Sequence, residues 1–207
     1  MGRPAGLPKH MLFDLKDAFE AEDYRIRITT NAAIYWDQFL VGSSRQVPLQ
    51  VQRLRPTAAD LRWRGYPAHT SINGTFAFRY HYDRLHTEAP WGTHAGSYTR
   101  LGPVTELVQA IDDRFAIMFH GDELSFEFSA DGLSPLATGM KRSFMLYANG
   151  FGKDMDFHSA YSQTAEPLPF HGMSSYPYPL EERYPQSEAH SEYVEAYNTR
   201  SVKGYYR

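Results

Sequence analysis

From Lys141 to Tyr178 the chain reads KRSFMLYANGFGKDMDFHSAYSQTAEPLPFHGMSSYPY, and neither the two-residue period of a strand nor the 3.6-residue period of a helix persists through it. Pro167, Pro169 and Pro177, with Pro179 just beyond, exclude helix from its second half. A long aperiodic stretch inside a compact chain is either disordered or a loop with a task. Phe157, Tyr161, Leu168, Phe170, Met173, Tyr176 and Tyr178 argue for order, because they offer enough apolar surface to offset the entropy of fixing the segment. We therefore expect two parts. Residues 1–150 form a body, and residues 151–207 form an aromatic, proline-rich strap packed on that body or on a partner.

The body reads as strands. Tyr24 to Thr30 alternates, with Tyr24, Ile26 and Ile28 on one face and Arg25, Arg27 and Thr29 on the other. Ile34 to Val41 is apolar on both faces apart from Asp37 and Gln38, as a central strand would be. Strand-like runs follow at Leu49 to Leu54, Leu61 to Trp63, Phe76 to Tyr82, Phe115 to Phe119, Leu124 to Phe128 and, after a charged pair, Phe144 to Ala148. Turn residues separate them, at Gly42, Gly65, Asn73-Gly74, Gly121-Asp122 and Asp131-Gly132. Two stretches have helical spacing instead. Pro103 introduces Val104, Leu107, Val108 and Ile111, and Ser187 is placed to cap a helix carrying Tyr193, Val194 and Tyr197 on one side. Many short strands, one or two short helices and a long irregular strap predict an all-β chain, a β-sandwich of jelly-roll type.

Composition narrows the function classes. A net charge of −3 over 207 residues gives no field to hold nucleic acid. No apolar run is long enough to span a membrane as a helix, and the first residues lack the apolar core of a signal peptide. There is no cysteine, hence no disulfide, no thiolate metal site and no cysteine nucleophile.

The words GFGKDMDF, EPLPFHGM and YPYPLEERYP resemble the C-terminal region of exported bacterial proteins built from FG-GAP/VCBS repeats, which often carry an ASPIC/UnbV-type segment or TPR units. The resemblance is densest from Phe144 to Tyr184. It implies an exported setting, periplasmic or cell-surface, with a protein partner or neighbouring repeat domain, and it implies no reaction. The opening FDLKDAFEAEDYRIRITTNAAIYWDQFLV also resembles the first strands of ligand-binding jelly rolls.

Candidate residues fall into three groups. Aromatics suited to stacking on a sugar or anchoring a protein are Trp91 and Tyr98 in the body and Phe170, Tyr176 and Tyr178 in the strap, whereas Trp36 and Trp63 lie within expected strands and read as core. His81, Asp83, His86 and His94 form the one histidine-rich run that could hold a metal ion or haem, with His81 and Asp83 sharing a strand face; His120, His158 and His171 rank lower. Asp154 and Asp156 offer carboxylates without the ligand spacing of a calcium loop, so salt bridges to Lys153 or an arginine are the expectation there. Asp37, Asp60, Glu123 and Glu127 are the carboxylates available for glycoside hydrolysis, but nothing in their surroundings marks a raised pKa, and no GxSxG elbow is present. The sequence thus points to a non-catalytic module for assembly or recognition, with no cofactor expected. A ligand- or metal-binding module is the alternative, and a carbohydrate-active enzyme ranks third.

Overall fold

A computed structural model describes residues 11–15, 19, 24–29, 34, 36–42, 51–71, 74, 78–204. The chain divides into two compact units, Met1–Gln50 with His69–Tyr80, and Val51–Ala68 with His81–Arg207. Residues beyond 150 thus belong to the same unit as most of the described strands. Among the described residues the protein is mainly β, with antiparallel sheets and one α-helix. No helix among them is long and apolar enough to cross a membrane.

The second unit is built on β1 (Ala58–Trp63), which alternates as the sequence requires: Ala59 and Leu61 are buried, Asp60 and Arg62 exposed. It pairs antiparallel with β6 (Asp122–Glu127), Leu61 opposite Leu124 and Ala59 opposite Phe126, and on its other side with the two residues of β5 (Gly102–Pro103). β2 (Tyr66–Ser71) and β3 (Phe78–His86) form a second sheet, with Gly74 at positive φ in their connection. A third sheet joins β4 (Gly96–Tyr98) to β7 (Arg200–Val202).

The core is the apolar face of β1, covered by the turn after β5 and by the last helix. Val104 donates its N–H to the Ala59 carbonyl at 2.9 Å and leads into a 3-10 turn, Thr105–Val108, that lowers Leu107 onto the sheet. α1 (Glu188–Tyr197) supplies Tyr193, buried in the same cluster, with its hydroxyl donating to the Phe115 carbonyl at 2.7 Å. Ser187 caps the helix by accepting the His190 N–H, as its position predicts. Arg200 of β7 makes a two-pronged contact with Asp122 at the start of β6, whose side chain is wholly buried.

Several expected elements differ. Tyr24 to Thr29 and the described part of Ile34 to Val41 form no strand, and Tyr24, Ile26, Ile28 and Trp36 are exposed. Val51 to Leu54, Phe115 to Phe119 and Phe144 to Ala148 are likewise not strands, while Leu49, Gln50 and Phe76 lie outside the described residues. Alternation defines a face, but a strand also needs a neighbour to complete its ladder. Phe115 to Phe119 shows the difference: Ile117 exchanges hydrogen bonds with Thr99, but Phe119 N–H turns to the Asp122 carboxylate at 2.6 Å and the ladder ends. The helix expected after Pro103 is shorter than its pattern, because Pro103 is spent in β5. Trp63 is also half-exposed, its ring edge-on to Tyr66.

Candidate functional site

The strap is stitched to β4, and a polar centre lies at the stitch. Ala95 forms a parallel bridge with Thr164, donating to the Gln163 carbonyl at 2.9 Å and accepting from Ala165 N–H at 2.7 Å. Two residues on, Ser97 N–H donates to the Glu166 carboxylate at 2.8 Å. Gly96, between them, has φ +139°, and a Cβ there would fall 2.8 Å from Ala165 Cβ and against the Glu166 carboxylate. Only glycine allows so close an approach.

The same loop buries His94. Its Nδ1 lies 2.8 Å from Nε2 of His120, and the two rings stack with centroids 5.0 Å apart and planes 14° from parallel. One ring must donate and the other accept, so the contact requires at least one unprotonated nitrogen. Burial holds both imidazoles below the usual histidine pKa. For His94 the neighbouring His120 and then Lys153 push the same way, with Asp154 opposing; for His120 Asp122 opposes. His94 Nε2 is buried with no hydrogen-bond partner among the described residues. The Tyr98 hydroxyl donates to the His94 carbonyl at 3.2 Å.

Lys153 closes this centre from the strap side. Its ammonium donates to the Tyr176 hydroxyl at 2.9 Å and to the Glu166 carbonyl at 3.3 Å, and sits over the Tyr176 and Tyr161 rings. Tyr176 in turn donates to the Pro167 carbonyl at 2.8 Å. Burial lowers the Lys153 pKa, and Glu166 works against that shift. The expected salt bridges to Asp154 or Asp156 are replaced by these bonds. Asp156 instead accepts the N–H groups of His158 and Ser159, which hold its carboxyl below the ordinary range.

A second histidine centre lies nearby in sequence. His171 meets Asp113 through Nδ1 at 2.6 Å and Asn149 Oδ1 through Nε2 at 2.7 Å, and lies against Phe115 and Phe151. Asp113 has φ +62°, also accepts the His171 N–H, and gives its carbonyl to the Tyr184 hydroxyl. Both ring nitrogens of His171 are thus taken up by Asp113 and Asn149, so the contact ties the middle of the strap to the body rather than activating a nucleophile.

The residues singled out by sequence are dispersed among these features. His81, Asp83 and His86 lie along β3, His81 and Asp83 on one face and His86 on the other. His94 is paired with His120, and no group of three potential ligands gathers among the described residues. Trp91 is half-buried, edge-on to Tyr66 at 5.9 Å. Tyr98 and Phe170 are buried, Tyr98 against Phe119 and Phe170 against Tyr178 and Tyr184. Tyr176 holds Lys153. Phe157, expected to bury surface, is fully exposed at 105%. Glu123 is paired on its strand face with Arg62 and also with Arg64, which hold its carboxyl below the usual range. His120, which ranks low on sequence, and Lys153, which reads there only as a salt-bridge partner, emerge as parts of the centre. Their roles depend on contacts across 26 and 23 residues, which no local pattern encodes.

Two surface features lie outside this centre. A groove of about 300 Å³ runs beside α1, lined by Tyr184, His190 and Val194 among others. More conspicuous is an apolar run with no packing of its own: Met140, Phe144, Met145, Leu146 and Tyr147 are all exposed, Phe144 by 74% and Met145 by 97%. Comparison with models of protein families, with curated proteins and with solved structures finds nothing that matches the chain.

Proposed function

We propose that the chain is a non-catalytic module for assembly or recognition, with a β-sandwich body of jelly-roll type, working in an exported or cell-surface bacterial protein or complex. The observation that carries this reading is the exposed run Phe144 to Tyr147. Four consecutive large apolar side chains in water are a liability to a monomer, and their usual purpose is to be covered by another protein. The strap supports the same reading: its bonds to Ala95, Ser97 and Asp113 fix the chain that flanks the run. The resemblance of residues 144–184 to the C-terminal region of FG-GAP/VCBS proteins supports the exported setting and a neighbouring repeat domain as partner.

The test is purification from the native source. A partner chain co-eluting with the protein, and lost when Phe144→Asp and Leu146→Asp are introduced, is the expected result. A free chain carrying stoichiometric metal or a Soret absorption band would overturn it. That second outcome belongs to the alternative, a ligand- or metal-binding module including haem, which is favoured by one observation: the buried, unpartnered Nε2 of His94. A carbohydrate-active enzyme is the third reading; Glu123, pinned ionised by two arginines, is poorly suited to serve as its general acid.

A further inference from the structure

We propose that the partner of the exposed run is a second copy of this chain, with residues 141–147 added as an antiparallel strand to the outer edge of β6. This names the partner in the recognition reading above and rests on it.

Among the described residues β6 is hydrogen-bonded on one side only, to β1, and so ends its sheet. An unpaired edge is a template for another strand. The core side of this edge is unfinished: Phe126 and Phe128, on the same face as Leu124, remain 40% and 42% exposed. The segment KRSFMLY has the complementary pattern. With Phe144 opposite Phe126, Leu146 falls opposite Leu124, and both extend the apolar face that Ala59 and Leu61 begin. On the other face Ser143 falls opposite Glu127, and Lys141 becomes the diagonal neighbour of the Glu127 carboxylate, within reach of a long side chain. Phe144 and Leu146 thus meet the apolar side of the edge, and Lys141 meets Glu127 on the other side.

The chain's own copy of the segment is held off its own edge. Residues 141–150 are all exposed. Arg142 donates to the Ser134 carbonyl at 2.5 Å, Asn149 is bonded to His171, and Phe151 packs edge-on against Phe115. The Asn149 and Phe151 anchors lie outside residues 141–147, so pairing of that segment with a second copy leaves them in place. The exchange is reciprocal, each copy giving one segment and receiving one, which closes the dimer.

Because the chain has no cysteine, the register is directly testable. A tagged Phe144→Cys chain is mixed with an untagged Phe126→Cys chain and oxidised, beside a Phe144→Cys and Ser125→Cys mixture in which the second thiol faces the other way. Light scattering is run on the unmodified chain and on the Phe144→Asp and Leu146→Asp variants, with circular dichroism to show that each is folded. We expect twice the chain mass for the unmodified protein, the single-chain mass for both folded variants, and a mixed disulfide dimer that forms much faster for position 126 than for 125. A single-chain mass at every concentration, or equal trapping at 125 and 126, overturns the proposal. A chain that is single on its own yet still takes up a larger subunit through Phe144 overturns self-pairing and leaves the recognition reading standing.

Discussion

Replacing Gly96 by alanine tests whether the strap is a structural part of the second unit. The residue has φ +139°, a conformation that side chains rarely adopt, and holding a non-glycine residue in such a region costs about 1–3 kcal/mol. The new methyl would also lie 2.8 Å from Ala165 Cβ and 3.2 Å from Ala165 N. Neither neighbour is the flexible end of a side chain, so backbone must shift, at a further cost of about 1–3 kcal/mol. The shift falls on the Ala95–Thr164 bridge and on the Ser97 to Glu166 bond, so these stabilising contacts weaken together. A loss of about 2–6 kcal/mol is expected against the roughly 5–15 kcal/mol that keeps a domain folded. Gly172 is the control: an added Cβ there would rest 3.5 Å from the Phe170 ring, an ordinary contact, and Gly172→Ala should change stability by no more than about 0.5 kcal/mol. Urea denaturation of both variants measures the difference, and limited proteolysis locates it, with new cleavage expected between residues 150 and 186. Equal stability of the two variants, or loss at Gly96 with an unchanged digestion pattern, would refute the reasoning.

The buried groups lead to three further outcomes. His94 and His120 bind protons less readily when folded than the usual 6.5, so their contribution to stability is present above that pH and lost as pH falls through their lower folded values; the melting temperature should fall in acid, and His120→Gln should flatten that fall. Burial raises the Tyr193 hydroxyl to about 12 from 10.0, so its contribution holds below pH 10 and disappears as pH rises through about 12; alkaline titration followed by tyrosinate absorbance should show late-ionising hydroxyls, Tyr184 and Tyr193 among them, and Tyr193→Phe should lower their number by one. Tyr193→Phe should also lower stability by about 1 kcal/mol in urea, because the Phe115 carbonyl loses its 2.7 Å donor.

The parts of the fold legible in the sequence are those whose cause is local. Strands through Leu61 to Trp63 and Leu124 to Glu127 and the Ser187 cap of α1 are written in neighbouring residues, and the structure has each of them, although Trp63, which reads as core, is half-exposed. Tyr24 to Thr29 and Phe144 to Ala148 carry equally good strand patterns and form none, because a ladder also needs a partner edge that the pattern does not contain. The candidate site divides the same way. His94 could be singled out from its histidine-rich run, but its partner proved to be His120 rather than His81 or His86, since the turn before β6 brings that ring to 2.8 Å. Tyr98 and Phe170 are suited by residue type to stacking on a sugar or anchoring a partner, but β4 and the strap bury both. The requirement for glycine at position 96 is visible only once Ala165 and Glu166 are seen against it.

Photo-cross-linking from Met145 tests the recognition reading most directly. A photoreactive phenylalanine analogue replaces Met145, 97% exposed in the apolar run, and in a parallel chain replaces Glu181, exposed outside it. Irradiation in the cell that makes the protein should yield discrete higher-mass adducts from position 145 and none from 181, with the 145 adducts abolished by Phe144→Asp. Position 145 yielding no adduct, or the same diffuse pattern as 181, would contradict the account.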